Sequence, residues 1–401
     1  MQPRVVVIAT SIGYVGVPHA GGTYMRHLCD LMEPHADLTV IVPGTRTNRE
    51  AAERPGAPRR TLPLGLEPAR SLPGKVLNRA SLRGDGHWRL FWDPGMPYLP
   101  LLVGLARSRE ARDLIRTADV IDLQWSDSIR LVHLVRRLNP SARFVGTFHD
   151  VMSQSFSREP QRTWRERRYW RGVARRSRRH ERRMVRALDR VLVFSDKDAE
   201  LLGAPDAVVV RPPLAVSGPT PHGPPGPVEG PVLVVSYLAR DENNKAALWT
   251  VDDVWPRVVA QVPGARLRFV GGGATDDLRE RAAMTVGVEL AGFVDDLAEE
   301  YQTAAVCLVP VHQGAGVKFK TIEALLHGVP TVSTTVGIEG VGPADLFTAV
   351  VDDPEGTADA LARVVQDPPG FQAEADRAQE WASREFGEEQ FVERMLRVWF
   401  G

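Results

Sequence analysis

The sequence predicts an α/β protein made of two Rossmann-like halves, and three observations carry that prediction. From Val5 onward, short β-branched runs alternate with segments of helical spacing. Near the middle, Arg211 to Gly230 (RPPLAVSGPTPHGPPGPVEG) is so dense in Pro and Gly that it forbids helix or central strand. At Val232 the alternation restarts. A chain of 401 residues suits two domains of about 200 residues, each able to bury its own core. Residues 1–212 read as the first domain, 213–230 as a linker, 231–385 as the second domain and 386–401 as a terminal helix.

Composition narrows the function classes. The 50 basic and 50 acidic residues cancel, so no bulk affinity for nucleic acid is implied. Lysine is scarce, and Lys245, Lys318 and Lys320 all fall in stretches assigned below to a site. Cys29 and Cys307 each sit in an apolar pattern and read as core thiols, which makes a reducing cytoplasm the expected compartment. The N-terminal MQPRVVVIA runs directly into a strand, and no apolar run reaches the roughly 18 residues of a membrane span. A soluble protein, or one peripheral to a membrane, is expected.

In the first half, Val5 to Ile8 opens a parallel sheet. Ser11 to Gly22 follows as a glycine-rich loop, with Met25, Leu28, Cys29 and Met32 at helical spacing behind it. Strand, glycine loop and helix suggest a cradle for phosphate or sugar, although the loop is not G-x-G-x-x-G. Leu38 to Val42 is the second strand. Thr45 to Gly86, with little periodicity, reads as loops and acceptor-side elements. Ala118 to Gln124 and Arg143 to His149 are further strands, joined by a crossover helix over Ile129 to Leu138. The latter strand ends in Thr147-Phe148-His149-Asp150. Ligands of open α/β sheets bind at carboxyl ends of strands, so His149 is a candidate site residue, with a satisfied structural histidine as the alternative.

Arg158 to Arg186 holds thirteen arginines against three acids, with Trp164, Tyr169 and Trp170 interleaved. One reading is a solvated helix in an arginine-biased sequence. The other is contact with an anionic membrane or a phosphorylated acceptor. No nucleic-acid-reading module accompanies the charge, so nucleic acid is not an expected partner. Asp189 to Phe194 is a strand again, and Ser195 caps the next helix with Asp198 at capping-box distance. Asp196 and Asp198 therefore read as cap residues rather than a metal-binding D-x-D. The Asp pairs at 252–253, 276–277, 295–296 and 352–353 likewise read as helix starts. No cluster has metal-ligand spacing, and no metal or cofactor is expected.

The second half repeats the pattern: strand Val232 to Ser236, helix Asn243 to Val259, strand Arg266 to Val270 running into Gly271-Gly272-Gly273, then strand Val288 to Gly292. Its centre is Cys307 to Gly340 (CLVPVHQGAGVKFKTIEALLHGVPTVSTTVGIEG). An apolar strand ends at Pro310, and Gly314 and Gly316 turn into a helix expected from near Val317 to Gly328, where glycine then proline is a stop signal. Thr331 to Thr335 is the next strand. On a helical wheel Phe319, Ile322 and Leu326 share one stripe with Leu325 beside it, and Lys320, Glu323 and His327 form a neighbouring one. Glu323 thus stands at the margin of the apolar face and needs a hydroxyl or cation partner. The turn offers backbone N–H groups at the positive end of the helix, a site for phosphate. A helix follows over Ala358 to Val365, and the last stretch, Glu388 to Phe400, carries Phe391, Met395, Leu396, Val398 and Trp399.

Gly314 to Gly340 resembles the signature of the retaining GT-B glycosyltransferases, glycosyltransferase group 1, whose hallmark is similar to G-x-G-x-K-x-K-x-x-E-A-x-x-x-G-x-P-V-V-x-T-x-x-G-x-E-G. Many members carry two glutamates eight positions apart, and the earlier one falls here at Ala315. The resemblance implies a GT-B fold, two Rossmann-like domains facing each other across a cleft, with the terminal helix crossing back to the first. It implies a sugar moved from a nucleotide diphosphate sugar to a small-molecule, glycan or lipid acceptor, with retention and without metal. It places the donor on Gly316, Val317 and Lys318 of the turn, on Glu323 for ribose hydroxyls, and on the triple glycine at Gly271 and Gly272. Phe293 and Val294 match the turn that holds the nucleobase, Arg240 and Lys245 the cations of the diphosphate, and Gly21 and Gly22 the Gly-Gly of the first domain's loop. His149 and Lys320 are the catalytic candidates, and with alanine at 315 no enzymatic nucleophile is assigned. A sugar-nucleotide epimerase of the same fold and a catalytically degenerate binding module are the alternatives.

Overall fold

The computed structural model describes residues 2–17, 19–64, 98–159, 163–214, 230–294, 296–314 and 316–401. Two compact units divide the chain, one of residues 1–213 with 391–401 and one of residues 214–390.

The first unit is built on seven parallel strands: β1 (Arg4–Ile8), β2 (Asp37–Pro43), β3 (Thr61–Leu64), β4 (Val120–Gln124), β5 (Arg143–Phe148), β6 (Arg190–Val193) and β7 (Val208–Val209). Their order is β3-β2-β1-β4-β5-β6-β7, and Val5 sits between Leu38 of β2 and Val120 of β4. Strands covered by helices on both faces need apolar side chains at every position. Accordingly Val5, Val7, Ile8, Ile121, Leu123, Phe144 and Phe148 are fully buried. Strand order reverses between β1 and β4, which makes their carboxyl ends the place where a ligand is expected.

The second unit repeats the design with six parallel strands: β8 (Val232–Val235), β9 (Leu267–Val270), β10 (Val288–Gly292), β11 (Val306–Val309), β12 (Thr331–Ser333) and β13 (Ala349–Val350). The order β10-β9-β8-β11-β12-β13 puts the reversal between β8 and β11. Trp255, Phe269, Leu361 and Val364 fill the core on one side of this sheet.

Several expectations shift. Gly21 and Gly22 lie in the first turn of the helix Ala20–Met32 rather than in the loop before it. His19 caps that helix, its Nδ1 accepting the Gly22 N–H at 2.9 Å. The stretch read as loops from Thr45 holds the helix Arg46–Ala52 and the edge strand β3; residues 65–86 lie outside the described residues. That helix buries only Asn48 and Ala51, so no apolar stripe announces it. Strand β3 contains Pro63, which an edge position tolerates because no neighbour needs its N–H. The helices Leu99–Arg107 and Arg109–Thr117 were not anticipated either.

The crossover expected over Ile129 to Leu138 is two short helices, Trp125–Ile129 and Val132–Leu138. The helix expected from Asn243 to Val259 is interrupted by a π-helical turn at Thr250–Val254. Pro256 lies just beyond and cannot donate back to the preceding turn. Asp252 and Asp253 therefore sit inside a helical run, not at its start, and Asp252 pairs with Arg281. The other pairs do lie at helix starts: Asp276 and Asp277 fill a first turn behind the cap Thr275, and Asp296 and Asp353 are caps, Asp353 through its Oδ1 on the Gly356 N–H at 2.8 Å, although Asp295 lies outside the described residues. Of the expected linker only residues 213, 214 and 230 are described.

Helix Glu388–Phe400 buries Phe391, Met395, Val398 and Trp399, and residues 391–401 belong to the first unit. Among the described residues no helix is long and apolar enough to cross a membrane.

Candidate functional site

In the second unit the strand-order reversal brings together Ser236, just past β8, and the turn after β11. Gly314 and Gly316 have φ of 114° and 73°, a backbone that side chains rarely adopt, and this lets the chain swing from β11 into the helix Phe319–Leu326. Alanine 315 between them lies outside the described residues. The helix begins two residues later than expected because Lys318 is its extended N-cap, with φ −94° and ψ 101°. It ends as expected: Gly328, at φ 65°, donates to Leu325 O while the Val329 N–H reaches Ala324 O at 3.3 Å. No acidic side chain occupies the first turn, so the helix's own residues leave its dipole unneutralised there.

Two ionisable side chains stand one turn apart on this helix. Lys320 Nζ donates to Ser236 Oγ at 2.9 Å and to Asn243 Oδ1 at 2.8 Å, which fixes an ammonium at the switch point. Burial, with repulsion from Lys318 and Arg240, pulls its pKa down to about 8. Glu323 is half-buried, and burial pushes its carboxyl up to about 7 against the opposing pull of Lys320. Among the described residues no side chain or backbone N–H donates to that carboxylate, so its accepting capacity is left open. Lys318 Nζ donates to Gly316 O at 2.7 Å across the turn.

The remaining expected donor residues divide. Arg240 is close enough to depress Lys320 and pairs with Glu242 Oε1 at 3.1 Å. Lys245 is instead exposed and paired with Asp241 at 2.5 Å, and it is Asn243, two positions earlier, that reaches Lys320. Gly271 and Gly272 cross the segment after β8: the Gly271 N–H donates to Gly292 O at 2.7 Å and Gly272 O accepts from Leu238 at 2.9 Å. Phe293 is 81% exposed at the end of β10, whereas Val294 packs on the core beneath. Val317 packs with Ile322 and Leu325.

The first unit carries its own constellation at the β1/β4 reversal. Asp122 is fully buried in β4 and accepts Trp399 Nε1 at 3.0 Å, Gln124 Nε2 at 2.9 Å and Thr147 Oγ1 at 3.1 Å. Burial raises its carboxyl to about 7 despite those three donors. Gln124 Oε1 lies 2.9 Å from His149 Nε2. With that amide orientation the imidazole carries its proton on Nε2 and presents Nδ1 as an acceptor. Burial and the neighbouring His19 push the His149 pKa down to about 3, so the ring is neutral.

Trp125 stacks on His149 with ring centroids 4.1 Å apart, and it does so from a left-handed backbone at φ 63°, the single non-glycine residue so placed among those described. For a bulky residue that conformation is strained and persists only where the surroundings enforce it. Gly21 makes room for it: a Cβ there would stand 2.8 Å from Trp125 Cζ2. Gly21 is therefore a close-packing position behind the Trp125–His149 stack, whereas Gly22 is one against Val17 and His19.

Reasoning from sequence missed Ser236, Asn243, Gln124 and Trp125. The switch-point rule that singled out His149 would have found Gln124, Trp125 and Ser236, since each ends or follows a strand at a reversal. Trp399 had no local signal, because its partner lies 277 positions away.

Residues 232–367 match the family model described as Glycosyl transferases group 1. An uncharacterized 44.6 kDa protein in the cps region of Klebsiella pneumoniae is 28% identical over 118 residues, 28% of this chain and 30% of that protein's length. Among solved structures, Anabaena HepE in complex with UDP and glucose superposes with a TM-score of 0.62 at 13% identity, covering 99% of each chain. Sucrose-phosphate synthase from Thermosynechococcus elongatus does so with a TM-score of 0.64 at 17% identity, covering 100% of this chain and 98% of that one.

Proposed function

We propose, from the GT-B fold and the match of residues 232–367 to the family model of glycosyl transferases group 1, that the chain moves a sugar from a nucleoside diphosphate sugar to an acceptor, with retention and without a metal ion. The observation that carries this reading is the placement of Lys320 and Glu323 one helical turn apart at the β8/β11 reversal. A cation anchored by Ser236 and Asn243 stands beside an uncapped helix start, and one turn further on a carboxylate has no donor among the described residues. A diphosphate answers the first and a sugar or ribose hydroxyl pair the second.

As the glycosidic bond loosens, negative charge grows on the departing diphosphate. Preorganised groups aimed at that charge lower the barrier most, and Lys318, Lys320 and the amides of the turn are the groups available. Glu323 accepts from ribose hydroxyls and so sets the height of the nucleoside along the helix. In the first unit the neutral His149 offers Nδ1 to a hydroxyl of the transferred sugar or of the acceptor, held by Gln124 and Trp125. In this reading the leaving phosphate itself takes the acceptor's proton.

The structural neighbour solved with UDP and glucose makes uridine diphosphate sugars the first donors to try, with GDP and dTDP sugars beside them. A thermal-shift screen should show a rise in melting temperature with one of these donors, since only the folded state binds it. Release of the nucleoside diphosphate should then depend on an added acceptor. A flat screen across all three, or release that no acceptor accelerates, rejects transfer.

A further inference from the structure

The helix Trp164–Ala187 plays no part in either switch-point site, yet it is the most unbalanced in charge among the described elements. Its 24 residues contain eleven arginines and two glutamates. Val173, Ser177, Glu181 and Met184 form its buried stripe, which packs on the helices Met152–Ser157 and Asp196–Leu202. Neither glutamate offsets the charge of the outer face. Glu166 closes the capping box with Thr163, its Oε2 accepting the Thr163 N–H at 2.9 Å. Glu181 is buried on the opposite side and accepts the Ser153 N–H at 2.8 Å.

Ten of the arginines, from Arg165 to Arg186, are exposed. On a wheel of about 3.6 residues per turn they fall within an arc of roughly 160°, opposite the buried stripe. None of the ten has an acidic partner among the described residues. Elsewhere this chain pairs its surface arginines at helical spacing: Arg46 with Glu50, Arg109 with Asp113, Arg279 with Asp276, Arg281 with Asp277 and Arg397 with Glu393. An arginine-rich composition therefore does not by itself leave such a face bare. Like charges three and four residues apart destabilise a helix, and here the capping box and buried stripe hold the helix together in spite of them.

We propose that this arginine face docks the protein on the surface of a membrane containing anionic phospholipids. The face is about 36 Å long at 1.5 Å per residue, so a planar layer of headgroup phosphates can lie along its whole length and meet the guanidinium groups at the centre of the arc together. A nucleic-acid duplex presents its phosphates on a curved surface and meets only part of that length. Trp164, 63% exposed, lies on the same side at the amino end, an amphipathic ring suited to the headgroup layer. No insertion is involved, because the apolar stripe is already taken up by the protein.

The test is co-sedimentation of the full chain with vesicles of phosphatidylcholine and phosphatidylglycerol, against phosphatidylcholine alone, at about 0.1 M salt. Binding should require the anionic lipid and be released as salt is raised to about 1 M, where screening shortens to about 3 Å. Replacing Arg168, Arg175, Arg179 and Arg182 together by Gln should weaken binding at least about 100-fold, given the contribution of each basic residue near such a surface. Replacing the paired Arg109 and Arg279 by Gln should leave it unchanged, and circular dichroism checks that each variant is folded. If the quadruple variant does not fold, the lipid and salt dependence of the unaltered chain decides. Equal binding to both vesicles, no binding to the anionic ones, full binding by the folded quadruple variant, or tighter binding to an oligonucleotide at the same salt would overturn the proposal. No sugar or nucleotide enters the measurement, so its failure leaves the donor-site reading untouched.

Discussion

The two units repeat one topology and load its switch point differently. In the second, Lys320 and Glu323 stand one turn apart on one helix, and the carboxylate has no donor among the described residues. In the first, Asp122 receives three donors and His149 is tied to Gln124. A fully satisfied buried carboxylate serves as internal scaffolding, whereas one with no donor from the protein keeps its accepting capacity. The same fold thus makes one end with an anchored ammonium beside an open carboxylate and another that holds a neutral ring in place. Each expectation below breaks or sharpens that contrast.

The largest effect should come from Glu323→Ala. Hydrogen bonds to a charged group contribute about 1.5–3 kcal/mol, so loss of the carboxylate should weaken donor binding roughly 100-fold with little loss of stability. Isothermal titration with the donor found by screening measures it, and unchanged affinity would remove Glu323 from the site. Next in size, Gly21→Ala should destabilise the first unit by about 1–3 kcal/mol, since the added Cβ meets Trp125 in a packed region. Denaturant unfolding measures that, and a variant as stable as the parent would show that the Trp125–His149 stack is not enforced by packing.

Trp399→Phe should cost about 1–2 kcal/mol at neutral pH by removing a donor from buried Asp122. The sign with pH is distinctive. Asp122 is raised from 3.8 to about 7 in the folded protein, so the native state holds its proton more tightly than the unfolded one. Its contribution to stability is greatest below pH 3.8 and is lost as pH rises through 7. Trp399 stabilises the ionised form, so the penalty of removing it should grow from pH 5 to about pH 8. A penalty independent of pH would mean that only packing was lost.

The smallest effect is the pH dependence of donor binding. Binding should be strongest between about pH 7 and pH 8, falling below as Glu323 takes a proton and above as Lys320 loses one. A profile flat from pH 6 to about pH 9 would separate donor binding from both groups.

Where the sequence was legible, the signal was local. The glycine–proline stop after Leu326, the β-branched run at Thr331 and the cap at Ser195 each act over a few residues and appear in the structure. Ser195 Oγ both accepts the Asp198 N–H at 3.3 Å and donates to Asp198 Oδ2 at 2.8 Å. The misses are of another kind. Helix Arg46–Ala52 has almost no apolar stripe because it is held by Asn48 Nδ2 on the Thr10 and Pro43 carbonyls, at 3.0 and 2.9 Å. The family resemblance implies Lys245 as a cation of the diphosphate, yet the helix turns Asn243, not Lys245, toward Lys320.

Alone, the sequence determined the alternation of strand and helix, the break between two α/β halves, and the glycine turn that places Lys320 and Glu323 one helical turn apart. Those are consequences of periodicity and backbone freedom, which neighbouring residues settle among themselves. Only the tertiary structure decided which groups meet at the reversals of strand order: Ser236 and Asn243 on Lys320, Trp399 on Asp122, Trp125 forced against His149. Such contacts join residues tens to hundreds of positions apart, and parallel strands pair without regard to their separation in the chain, so no local pattern could have announced them.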